Sequence, residues 1–84
     1  MKDTHQVIEF MVMEKREDGT FKGLGRHAFR LAPRQDEYIT FSDDDGIGQV
    51  YKVIAVVHPL EITLTAGDLI VKHIDNNINF RKLL

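Results

Sequence analysis

The sequence predicts an all-β fold: a small, antiparallel, partly open barrel of about five to six strands. Two turn signals carry this prediction. Asp18-Gly19 separates residues 5–16 from 21–32, and Ala66-Gly67 separates residues 60–65 from 68–74. The flanking segments alternate apolar and polar residues with the period of a strand. An 84-residue chain with 43% hydrophobic residues has enough apolar material for one domain, residues 1–84, with a modest core.

The first hairpin has a register that follows from its turn. With Asp18-Gly19 at the centre, Glu17 faces Thr20, and an apolar face pairs Ile8 with Phe29, Phe10 with His27 and Val12 with Gly25. The opposite face carries Val7, Glu9, Met11 and Met13 on one strand and Leu24, Arg26, Ala28 and Arg30 on the other. Gly23 and Gly25 predict a bulge, which can shift the register by one residue.

A helical alternative exists for the second strand of this hairpin. Arg26, Arg30 and Arg34 have the four-residue spacing of a helical stripe. The surrounding glycines and Pro33, together with alternation through His27, favour a strand.

The middle of the chain predicts two further strands. Residues 37–41 form a short β-rich run with Ile39 and Phe41 on one face, and residues 42–48 form a loop. Residues 49–57 are apolar on both faces, which predicts a central strand or one that bends across a barrel.

The second turn predicts a hairpin between residues 60–65 and 68–74. Its aliphatic face pairs Leu64 with Leu69, Ile62 with Val71 and Leu60 with His73, while Glu61 meets Lys72 and Thr63 meets Ile70. Asp75-Asn76-Asn77 is another turn signal. After it, residues 78–80 either return as a short strand, or Phe80, Leu83 and Leu84 form one helical turn.

A sequence pattern also extends from residue 31 to residue 57. Its marks are a proline-led entry strand, a glycine turn and a long Val-rich strand, with Pro33, Glu37, Ile39, Gly46, Gly48, Tyr51, Val53 and Val57. This pattern resembles small uncharacterised bacterial one-domain proteins with an SH3-like β-barrel. The resemblance implies a barrel and brings with it no activity and no catalytic residues.

The composition limits location and metal chemistry. The chain has no cysteine, no apolar run of about 18 residues that could span a bilayer, and no secretory signal, so we expect a cytoplasmic protein. The four histidines, His5, His27, His58 and His73, lack the close spacing of zinc ligands. Asp43, Asp44 and Asp45 are contiguous rather than alternating as in a calcium loop. We expect no metal and no cofactor.

Charge is unevenly distributed along the chain. The net charge is −2, yet residues 22–34 contain four bases and no acid, and residues 35–48 contain five acids and no base. The basic residues are Lys22, Arg26, Arg30 and Arg34, and nearby aromatic residues could stack on bases: Phe21, Phe29, Tyr38, Phe41 and Tyr51. Nucleic-acid binding is therefore an alternative function, which the adjacent acidic run and the acidic chain oppose.

No catalytic constellation is visible. Ser42 is the only serine and has no base near it in sequence, and Gly23-Leu24-Gly25 lacks the spacing and the lysine of a phosphate-binding loop. A third reading, an enzyme or small-ligand binder, requires His27, His58 and His73 to converge on one pocket.

The sequence favours a non-enzymatic interaction module that binds a protein partner or a second copy of itself. Methionines on an outer strand face are typical of adaptable contact surfaces. The expected contact residues are Val7, Met11, Met13 and Leu24, with Arg26 and Arg30 at the rim.

Overall fold

The computed structural model describes residues 7–61 and 65–76, which form one five-stranded sheet that curls into a half-barrel. The strands are β1 (Ile8–Lys15), β2 (Phe21–Phe29), β3 (Tyr38–Ser42), β4 (Gly48–Val57) and β5 (Asp68–Asn76). Their order across the sheet is β2-β1-β5-β4-β3. No helix occurs within the described ranges, so the helical alternative at residues 26–34 is wrong. The all-β open barrel is confirmed, and its shape is loosely consistent with an SH3-like fold.

The first hairpin keeps the predicted pairing away from its turn. Ile8 lies opposite Phe29, and Val12 lies opposite Gly25. At the tip, the prediction that Glu17 faces Thr20 is wrong: the Arg16 N–H donates to the Thr20 carbonyl over 2.8 Å, which leaves a three-residue loop. Gly19 ends that loop with φ +87°, as three-residue hairpin loops require.

A bulge in β2 explains how the register recovers. Gly25 pairs with Val12 and Gly23 pairs with Met13, so Leu24 is the extra residue. The longer loop moves the register by one position, and the bulge moves it back. The bulge predicted from the two glycines is therefore confirmed.

β3 and β4 match their predicted positions. Ile39 is buried, and Phe41 packs on the core from the same face. β4 lies between β5 and β3 and has two register irregularities, one of them between Val50 and Tyr51. Val50 and Tyr51 are consecutive and both buried, but only Tyr51 belongs to the core cluster, so β4 has buried side chains on both faces, as its apolar run predicted.

The predicted hairpin around Ala66-Gly67 is wrong. β5 pairs antiparallel with β4, where Val71 lies opposite Val53, and parallel with β1, where Leu69 lies opposite Val12. Because Leu69 and Val71 have neighbours on both sides, they are not available to residues 60–65. Leu60 is fully exposed, and residues 62–64 lie outside the described residues.

Backbone contacts at Ala66 and Gly67 show why the chain does not turn there. The Ala66 N–H donates to the Glu9 carbonyl over 2.7 Å, and the Met11 N–H donates to the Gly67 carbonyl over 3.0 Å. Ala66-Gly67 therefore begins the contact with β1. The resulting β1–β5 pairing is parallel, so the sheet is mixed and the expected fully antiparallel arrangement holds for three of its four pairings.

The core occupies the concave face of the sheet. Its buried residues come from β1, β3, β4 and β5, and they are Phe10, Val12, Ile39, Tyr51, Val53, Leu69 and Val71. Asp75 and Asn76 do not form the predicted turn. They belong to β5, in which Asp75 pairs with Val50 and Asn76 pairs with Gln49 of β4. The two alternatives for residues 78–84, and His5, lie outside the described residues.

Candidate functional site

The strand face opposite the core carries a row of apolar side chains that crosses three strands. Met11 and Met13 alternate with the buried Phe10 and Val12 and are partly exposed, and Val7 is 60% exposed. Ile70 of β5 lies opposite Met13, and Ala55 of β4 lies opposite Ile70. The outer stripe, as we name this row, consists of Val7, Met11, Met13, Ile70 and Ala55.

Sequence reasoning missed two members of the outer stripe and included one residue that does not belong. It paired β5 with residues 60–65, so Ile70 was not placed beside Met13. Leu24 was expected beside the methionines, but it packs against the core. The bulge is the physical reason, because the extra residue breaks the alternation of faces at that point.

Arg26 and Arg30, the two arginines expected at the rim of a contact surface, lie near the end of β2 and just after it. Arg26 lies opposite Met11 and forms an ion pair with Glu9, with 4.0 Å between Nη1 and Oε1. Both side chains are about half exposed, so the pair contributes little to stability. Arg30 is exposed and directly follows the last residue of β2. The outer stripe is thus bordered by both signs of charge.

The basic segment does not form one continuous patch. Lys22 lies opposite Glu14 on the two hairpin strands. Arg34 has its Nε 3.8 Å from Glu37 Oε2. With Arg26 paired to Glu9, three of the four bases adjoin a carboxylate. Among the aromatic residues considered for base stacking, only two are largely exposed, Phe21 and Tyr38, while the other three belong to the core or pack on it.

Four rings form a continuous row along the concave face, one from each of β2, β3, β4 and β5. The ring centroids of His27 and Phe41 are 4.3 Å apart, those of Phe41 and Tyr51 are 4.9 Å apart, and those of Tyr51 and His73 are 5.3 Å apart. His27 and Phe41 lie on the two edge strands, so their stacking joins the edges of the half-barrel. Sequence separation gives no signal of this contact, which depends on the curvature of the sheet.

Each histidine in this row makes a hydrogen bond through Nε2, although His27 is partly buried and His73 is exposed. His27 Nε2 lies 2.8 Å from the Leu24 carbonyl oxygen, and His73 Nε2 lies 2.8 Å from Gln49 Oε1. Both partners are acceptors, so Nε2 donates in each case.

Asp43 organises the loop between β3 and β4. Its Oδ1 accepts the backbone N–H groups of Asp45 and Ile47, and its Oδ2 accepts the amide N–H of Gln49, each over 2.9 Å. The hydrogen bond from Ile47, followed by the one from Gln49, lowers the pKa of the Asp43 carboxyl. The Asp43 carboxylate thus accepts two hydrogen bonds from the loop backbone and one from the Gln49 side chain of β4. Within residues 7–61 and 65–76 no group of three or more potential ligands could hold a metal ion.

Burial raises the pKa of the Tyr51 hydroxyl, and the nearby carboxylates of Glu14 and Asp43 raise it further. The hydroxyl therefore remains neutral over the physiological range.

The three described histidines do not line a common pocket. His27 lines a depression with Lys22 and Phe41, and His58 lines another with Pro33. His73 lines a third depression beside the tip of the first hairpin. The geometry therefore gives the small-ligand reading no convergent histidine site.

Comparisons with family models, curated proteins and solved structures find no match for this chain. In the part of the chain that the structure describes, no helix has the length and apolarity needed to cross a membrane.

Proposed function

We propose that this chain is a non-enzymatic interaction module that associates with a second copy of itself through the outer stripe. The observation that supports this most directly is the run from Met13 through Ile70 to Ala55 across three neighbouring strands. Contiguous apolar patches on a protein surface often mark interaction sites. Methionine also adapts its shape to a facing surface.

The charges beside the outer stripe favour a second copy over an unrelated partner. In a two-fold interface the same patch contacts itself, so each charge must meet an opposite charge from the same patch. Glu9 and Arg26 lie together at the border of the stripe and supply both signs. A two-fold arrangement can therefore exchange this pair between copies.

The size of the outer stripe predicts weak association. Three strands about 4.8 Å apart and six residues of about 3.3 Å each give a patch of roughly 200 Å² per copy. Burying two such patches is worth about 10 kcal/mol, of which about 5 kcal/mol is lost to the entropy of association. The remainder corresponds to a Kd of about 0.2 mM.

Sedimentation equilibrium at protein concentrations up to about 1 mM, several times the expected Kd, tests this proposal. Met13→Lys places a charge at the centre of the stripe, and we expect it to abolish the dimer. Thr40→Lys, at an exposed position on β3, is the matched control and should leave dimerisation unchanged. A monomer at every concentration would remove self-association, and an unaffected Met13→Lys dimer would move the interface elsewhere.

The location belongs to the same proposal. We propose the cytoplasm, because the 84 residues include no cysteine and therefore form none of the disulfides that are typical of small secreted domains.

A further inference from the structure

A depression of about 280 Å³ opens at the end of the half-barrel where β2 and β4 finish. Its floor is apolar, because it contains Phe10 and the partly buried Val56. Ala32 and the buried Pro33 form one wall. No residue of the outer stripe, of the row of rings or of the Asp43 loop is among its lining residues.

The wall is held in place by the backbone. The Asp36 N–H donates to the Val53 carbonyl over 2.7 Å, and the Val53 N–H donates to the Glu37 carbonyl over 2.8 Å. These two hydrogen bonds fasten the connection between β2 and β3 onto β4. The depression is thus formed before any ligand arrives, which reduces the entropy lost on binding.

The rim combines bases with exposed leucines. Arg34 and His58 line the opening, and the Arg34 side chain is 84% exposed. Leu31 is 85% exposed and Leu60 is fully exposed, and each lies within two residues of a lining residue. The chain segments that line the depression thus also carry exposed leucines, and apolar surface beside an apolar depression is more informative than a single exposed leucine.

We infer that this depression binds a single-chain carboxylate amphiphile, with the alkyl chain on Phe10 and Val56 and the carboxylate at Arg34. The carboxylate of Glu37 opposes this, because its Oε1 accepts the Arg34 backbone N–H over 2.7 Å and its Oε2 lies 3.8 Å from Arg34 Nε. Glu37 therefore limits the affinity.

The volume sets the length of the chain. The depression has the volume of about nine liquid water molecules at roughly 30 Å³ each, which suits a chain of about eight carbons. Each methylene removed from water strengthens binding by at most about fourfold. Affinity should therefore rise from butanoate to octanoate and then level off.

Amide chemical shifts in a ¹H–¹⁵N spectrum, titrated with octanoate, test the site on the full chain. We expect the signals of Phe10, Ala32 and Val56 to move, and Met13 to remain still. Arg34→Gln should weaken octanoate about two- to fivefold, as expected for an exposed charge pair. Glu37→Gln keeps the acceptor for the Arg34 N–H and should strengthen binding by a similar factor. Arg16→Gln, beside another depression, is the control and should change nothing.

Three results would overturn the inference. The first is that no signal near Phe10 moves with octanoate, and the second is that the largest shifts lie on the outer stripe. The third is that 1-octanol binds as tightly as octanoate, since that would leave the carboxylate without a role. Dimerisation through Met13 is measured separately, so failure here leaves the proposed function untouched.

Discussion

Replacing Gly67 by alanine should destabilise the protein more than any other glycine substitution within the described residues. Gly67 has φ +148°, a conformation that L side chains rarely adopt. A Cβ atom at this position would approach the carbonyl oxygen of Val57 closer than 3.0 Å, and that neighbour is backbone that cannot rotate away. The substitution therefore displaces the start of β5.

The loss in the free energy of unfolding for Gly67→Ala can be worked out from the backbone strain and the hydrogen bonds that it affects. Backbone strain in a sparsely populated region costs about 1–3 kcal/mol. Relieving the collision also weakens the hydrogen bonds from Ala66 to Glu9 and from Met11 to Gly67, worth about 1 kcal/mol each. The total loss in the free energy of unfolding is about 3–5 kcal/mol, a large part of the roughly 4–13 kcal/mol that a chain of this length possesses.

Substitutions at two other glycines separate the cost of a positive φ from the cost of the collision with Val57. Gly19 shares a positive φ but has open space around it, so Gly19→Ala should cost about 1–2 kcal/mol. Gly23 has open space and no positive φ, so alanine there should be neutral or slightly stabilising. Comparing Gly67→Ala with Gly19→Ala isolates the collision with Val57.

Urea unfolding followed by far-UV circular dichroism is the appropriate assay. With an m value of about 1 kcal/mol/M, the Gly67→Ala midpoint should fall about 1–4 M below that of Gly19→Ala, or the cooperative transition should vanish. Equal midpoints for the two variants would refute the reasoning, because the collision would then carry no cost.

Two predictions concern ionisation. The pKa of Asp43 is lowered in the folded state, so its contribution to stability is complete above the unfolded pKa and is lost as the pH falls through the folded pKa. Asp43→Asn should therefore flatten the acid limb of a curve of unfolding free energy against pH. An unchanged limb would exclude Asp43 as a source of the acid sensitivity. The pKa of Tyr51 is raised above 10 in the folded state, so the contribution of its neutral hydroxyl to stability is complete at lower pH. That contribution is lost as the pH rises through the raised pKa. In Tyr38→Phe, where Tyr51 is the only tyrosine, absorbance near 295 nm should show ionisation later than in a free tyrosine; a midpoint at or below the free value would contradict the burial argument.

Local patterns predicted the first hairpin and β3 well, because each depends on neighbours along the chain. The pairing of Ile8 with Phe29 was correct although the loop was one residue longer than expected, since the bulge at Leu24 compensates. The same bulge moved Leu24 out of the predicted contact surface. A one-residue irregularity is enough to change a face, and glycine spacing alone does not say which residue changes.

The position of β5 could not be read from the sequence. Leu69 and Val71 are apolar neighbours that fit equally well against residues 60–65 or between two other strands. Contacts between distant parts of the chain decide between these two pairings, because β5 forms hydrogen bonds along both of its edges when it lies between β1 and β4. The row of rings has the same origin, since His27 meets Phe41 only when the sheet curves.

The placement of β5 links stability to the proposed interaction. Ile70 completes the outer stripe only while β5 pairs with β1, and that pairing begins at Gly67. Gly67→Ala should therefore weaken the fold and the dimer together. Met13→Lys alters a partly exposed side chain and leaves the Gly67 contacts in place, so it should weaken the dimer alone. A Gly67→Ala protein that lost the β1–β5 pairing and still dimerised normally would show that the outer stripe is not the interface.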